Sequence, residues 1–155
     1  MMMRGLGVTF SVTLLWASCL AVAANITVSK NPADSPDYTT IEAAWSAAQA
    51  SSGTDDTITI LDASEYTLPD SPLDLNTGEG NITLTAGTAV TPTLIQSNAL
   101  QMFRNLSENT EVLTLEGVDA THRITLKRTT VGAQVVVNCG TAEGNGPIVL
   151  KNLIV

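Results

Sequence analysis

The chemistry-bearing residues of this 155-residue chain are few and scattered. His122 is its single histidine, and Arg123, Lys127 and Arg128 follow it in the one local cluster of positive charge. On an alternating strand Arg123, Thr125 and Lys127 share one face, and His122, Ile124, Leu126 and Arg128 share the other. A face carrying Arg123 and Lys127 could contact an acidic polysaccharide; charges that merely blunt a solvent face are the plainer reading. One histidine excludes a multi-histidine zinc site. Asp55 and Asp56 form an adjacent acid pair just before a strand, which reads as a solvated turn ahead of a metal or acid/base pair. Asp70 and Asp74 flank Pro72 and read the same way. Glu108, Glu111 and Glu116 lie close together without the spacing of a calcium loop. Serine and threonine are abundant, yet none has a histidine and an acid arranged around it as a nucleophile requires. GEGN at 78–81 and GNGP at 144–147 are turns that lack the strand, glycine loop and helix of a phosphate cradle. No catalytic, metal or cofactor residue is therefore assigned. Arg123 and Lys127 stand as the candidate glycan contacts.

The elements that must position these residues begin with one helix. Thr39 followed by Glu42 fits a capping box, and Ile41, Ala44, Trp45 and Ala48 make one apolar stripe. Ser51, Ser52 and Gly53 stop it, Gly53 being free to turn left-handed. The period then changes from 3.6 to 2 in TITIL, which puts Ile58 and Ile60 on one face. NITVSK before the helix alternates in the same way. After it come EYTLP, SPLDL, NITLTAG, PTLIQS, ALQMFRNL, EVLTLEGV, HRITLKR, AQVVVNC and PIVLKNLIV, separated by Gly, Pro, Asn or Ser. Short strands at such intervals specify an all-β sandwich, barrel or solenoid. Aromatic residues are only 4% of the chain, too few for the centre of a small sandwich, whereas the triplets ITI, ITL, LTL, VVV and IVL suit inward aliphatic stacking.

DYTTIEAAWSAAQ, DTITILDASEYTLPDSPLDL, NITLTAG and PTLIQ together resemble the start of right-handed parallel β-helix proteins, the pectin-lyase-like superfamily. Asp56-Thr57-Ile58, Tyr66-Thr67-Leu68, Leu73 and Asn81-Ile82-Thr83-Leu84 stand at the family's strand and turn positions. Ser64-Glu65 stand where the family has a glycine before the tyrosine. Asn152 stands at the turn between two strands of a later rung. The resemblance implies an all-β, right-handed parallel β-helix with one N-terminal capping α-helix, and it carries many unrelated activities. A first rung has an open edge, so Trp45 and Ile41 are expected to lie over it as a lid. The apolar run ending at Val155 is the opposite of a polar terminal repeat. It leads to the expectation of a stack that continues beyond it, with self-association through that edge as the alternative.

Ahead of the β region, Arg4, the apolar run from Val8 to Val22 and the small residues Ala21-Val22-Ala23-Ala24 have the form of a secretory signal over residues 1–24, with cleavage expected near Ala23 or Ala24. The segment is too short and wrongly flanked for a stable membrane span. A lipoprotein reading would use Cys19, but Trp16 is poorly suited three places before it. The expected location is extracellular, periplasmic or at the cell surface. Export would leave Cys139 without an intrachain partner, as a small buried hydrophobe. Seven basic residues against 15 acidic ones give a net charge of −8, which excludes nucleic acid as a natural partner. Asn25-Ile26-Thr27, Asn81-Ile82-Thr83 and Asn105-Leu106-Ser107 are glycosylation sequons. The expected function is an exported scaffold, adhesion or interaction protein that contacts polysaccharide or cell-surface glycan. The alternatives are the first part of a pectate-lyase-like lyase or glycoside hydrolase, with active site and any calcium on rungs beyond residue 155, and a complete β-sandwich binding module.

Overall fold

The computed structural model of the protein describes residues 22–51, 53–97, 101–108, 110–130, 137–138 and 146–155. Residues 1–21, both cysteines and most of AQVVVNC lie outside the described residues.

Twelve strands and one α-helix follow in chain order: β1 (Asn25–Val28), α1 (Ile41–Ala50), β2 (Asp56–Ile60), β3 (Glu65–Thr67), β4 (Leu73–Asn76), β5 (Ile82–Ala86), β6 (Thr93–Gln96), β7 (Phe103–Leu106), β8 (Leu113–Glu116), β9 (Ile124–Arg128), β10 (Val137–Asn138), β11 (Ile148–Lys151) and β12 (Leu153–Ile154). Apart from β1 and β2, which are adjacent in one sheet, successive strands do not pair with each other. They belong in turn to three sheets, ordered β1-β2-β5-β8-β11, β3-β6-β9-β12 and β4-β7-β10. All the strand pairs are parallel. The described residues thus form a parallel β-solenoid of about four turns with a single α-helix. No helix among the described residues is long and apolar enough to cross a membrane.

Period-2 alternation makes this stack because every second residue faces inward and meets its register partner in the next turn. Ile26, Ile58, Leu84 and Leu115 form one such buried row. Tyr66, Leu94 and Leu126 form another, and Leu73 meets Phe103 in the third sheet. Burying each of these aliphatic side chains contributes about 1.5–3 kcal/mol. Gly80, at φ +79°, lets the chain enter β5 because any Cβ there would meet the Thr54 carbonyl. Asn152, at φ 49°, turns β11 into β12 within one residue.

The capped end differs from the sequence expectation in two ways. Thr40, not Thr39, is the N-cap; its hydroxyl accepts from the Ala43 N–H at 3.3 Å, so the box predicted with Glu42 does not form. Adjacent threonines offer two caps one residue apart, and the apolar stripe starting at Ile41 selects the second. The outermost strand of the first sheet is β1 rather than β2, since Ile26 pairs with Ile58 and Val28 with Ile60. The helix therefore shares the lid. The β1 edge is bonded by the Tyr38 segment, through Tyr38 N–H to Thr27 O at 3.1 Å and Ser29 N–H to Tyr38 O at 3.1 Å. The β3 edge receives Lys30 Nζ at the Glu65 carbonyl, at 2.6 Å. The β4 edge receives two helix side chains at the Asp74 carbonyl, Trp45 Nε1 at 2.9 Å and Gln49 Nε2 at 2.8 Å. Trp45 also reaches into the second turn, its ring centroid 5.7 Å from that of Phe103.

Candidate functional site

Among the described residues there is no pocket and no cluster of three potential metal ligands. The predicted basic strand is present as β9, and its alternation holds for Ile124 and Leu126 inside and Thr125 and Lys127 outside. Its two candidate contacts each have a partner within the chain. The Lys127 ammonium lies 4.0 Å from the Glu65 carboxylate of β3, and Arg123 precedes the strand with Nε donating to the Ala120 carbonyl at 2.5 Å. His122 is not on the inner face with Ile124. It sits in the bend before β9, its Nδ1 2.9 Å from Asp119 Oδ2. The Thr121 hydroxyl first and the His122 ring next hold the Asp119 carboxyl well below the usual carboxylate range.

The acidic residues are mostly bonded within the fold. Of the adjacent pair Asp55 and Asp56, the first is exposed as a solvated turn residue would be and only the second is not. Asp55 accepts from the backbone and side-chain nitrogens of Asn81 at 3.1 and 2.8 Å, and Asp56 is buried. Glu111, also buried, binds the Gly78 N–H at 2.7 Å and the Thr110 hydroxyl. Thr110 first and Gly78 next hold its carboxyl below the ordinary value. Asp74 takes Arg104 through two bonds of 2.7 and 2.5 Å across the third sheet. Burial pushes the Asp62 carboxyl up, but bonds from Tyr66, Ser64 and the Lys30 N–H outweigh it and hold the group below its ordinary value. That contact also explains the tyrosine motif: the Tyr66 ring is in the core, and its hydroxyl donates to Asp62 at 2.5 Å. Burial and the neighbouring Asp62 push the Tyr66 hydroxyl well up.

What alternation left unassigned is the outer face of the first sheet. Thr57, Thr83 and Thr114 form one outward row, and Thr27, Thr59 and Thr85 a second beside it. All six are half-buried. Neighbours within a row are about 4.8 Å apart and the rows about 6.6 Å apart, from the strand spacing and twice the rise per residue. Asn25 starts the first row and Val149 ends it, while Glu116 and Lys151 end the second, paired at 3.2 Å. The outer positions of the second sheet are mixed, with Glu65, Thr67, Thr93, Ile95, Thr125 and Lys127. Those of the third carry Asp74 and Arg104. The signal was present in the sequence as T-x-T in β2 and β5, read there only for the aliphatic residue between the threonines.

Two of the three sequons are spent on the fold. Asn81 Oδ1 accepts the Val112 N–H at 2.6 Å, and buried Asn105 donates to the Glu111 and Pro147 carbonyls at 2.8 Å each. Asn25 is exposed. No family model, curated protein or solved structure matches this chain.

Proposed function

We propose that the chain is an exported scaffold of the right-handed parallel β-helix kind, in the pectin-lyase-like superfamily, whose flank binds a repeating polysaccharide or cell-surface glycan. The paired threonine rows carry this reading. The Thr27 hydroxyl is spent on Asp37 and that of Thr85 donates to the Ala86 carbonyl, but at Thr57, Thr59, Thr83 and Thr114 any residue compatible with a strand would serve the fold. A flat array of hydroxyls and methyls at two regular spacings suits a ligand that is itself a repeat. The aromatic rings of Trp45, Tyr66 and Phe103 are buried, so recognition would rest on hydroxyl rows rather than ring stacking on these residues.

The test is co-sedimentation of the full chain with insoluble neutral and acidic polysaccharides, beside a Thr59→Lys, Thr85→Lys variant and an Arg123→Ala, Lys127→Ala variant. The reading expects binding that the threonine pair abolishes without a change in melting temperature. Loss only in the Arg123 and Lys127 variant would move the contact to the second sheet and to acidic glycans. Absence of binding by the unaltered chain to every polysaccharide would sink the proposal.

A further inference from the structure

Asp56 occupies a position that the fold reserves for an aliphatic residue. Its register partner is Ile82, and the same inner row continues through Leu113 and Ile148. The side chain is 2% exposed. Among the described residues its donors are uncharged: the Ala24 N–H at 2.7 Å and the Thr54 hydroxyl at 3.3 Å on Oδ1, and the Ser51 hydroxyl on Oδ2. A carboxylate taken out of water without a cation is costly. Ala24 is the third residue after Ala21, in Ala21-Val22-Ala23, the small-x-small pattern after which a signal peptidase cuts. Val22 and Ala23 are exposed whereas Ala24 is half-buried, so the Ala23–Ala24 bond lies where the chain enters the fold.

We propose that hydrolysis of the Ala23–Ala24 bond supplies the missing cation: the new α-ammonium of Ala24 pairs with Asp56 and completes the capped end of the stack. Water adds across the C–N bond, leaving a carboxylate on Ala23 and an amine on Ala24, which takes up a proton at neutral pH because α-amino groups titrate near pH 8. The acceptor oxygen is already in place, so the nitrogen need not move to gain its charge. Asp56 thus ties together the start of β1, the turn after α1 and the first strand of the first full turn, and processing strengthens that tie. The proposal rests on the export reading above.

The experiment expresses the full precursor in an exporting host and sequences the N-terminus of the product. Ala24 is the expected first residue. An acylating reagent near pH 7 should label that amine about tenfold more slowly than the α-amine of a variant with one glycine inserted between Ala23 and Ala24, because pairing depletes the free base. The insertion should lower the melting temperature by about 5–10 °C with Asp56 present and by much less in an Asp56→Asn background. If Asp56→Asn does not fold, the labelling comparison decides alone. An exported product starting elsewhere, or an Ala24 amine labelled as fast as the insertion variant's, overturns the pairing and leaves export standing. A chain that stays inside the cell with Met1 retained overturns both.

Discussion

The two ends of the stack treat the same kind of strand differently. At the α1 end each outer strand has backbone groups bonded from outside its sheet: Thr27 by Asp37 and Tyr38, Glu65 by Lys30, Asp74 by Trp45 and Gln49. At the β11 end the inner row of Ile58, Leu84 and Leu115 arrives at Leu150, which is 46% exposed. Leu84 and Leu150 occupy equivalent positions in one row, and what separates them among the described residues is a neighbour on the second side. Burial in a solenoid therefore belongs to the interface between turns rather than to the turn itself. The capped end replaces the missing turn with specific polar bonds and one large ring.

The largest expected effect tests whether that replacement is energetic. Trp45→Ala removes a buried ring and an edge bond, and should cost about 3–5 kcal/mol in urea unfolding. A loss below about 1 kcal/mol would mean that the helix only decorates the end. Next, Leu84→Ala should cost about 3 kcal/mol, and Leu150→Ala less than about 1 kcal/mol because much of its surface is already in water. Equal losses would break the comparison between the ends. The smallest effect sharpens the polar part of the cap. Asp62 has its carboxyl held below the ordinary value of 3.8, so its contribution is present above that pH and lost as pH falls through the depressed value. Asp62→Asn should therefore cost about 1 kcal/mol near neutrality, with the gap from the unaltered chain closing below about pH 4. A gap that persists at lower pH would assign the loss to packing instead.

Much of this was legible locally. The alternation of Ile58 with Ile60, the Ala-rich stripe of α1 and the turn at Asn152 are properties of short stretches, and the structure places each as read. Asp56 was misread because Gly53, Thr54 and Asp55 make the neighbourhood look like an exposed turn, while the group that recruits it lies at Ala24, on the far side of the helix. Lys127 was placed on the correct face, but its partner Glu65 is two strands away in the second sheet, and inter-turn register cannot be seen in a single strand. Arg123 lies just outside the strand it was read into, because β9 begins one residue later, at Ile124.

The capped end is also the first part of the stack to be synthesised. β1, α1 and β2 leave the ribosome before any later turn exists, and they already contain the helix, the Tyr38 fastening of the β1 edge and one complete parallel pair. Each following strand then docks on a finished edge about one turn behind it in sequence, so no pairing must await a distant partner. The order of assembly is thereby written into the order of the chain, and growth runs in one direction from a closed seed.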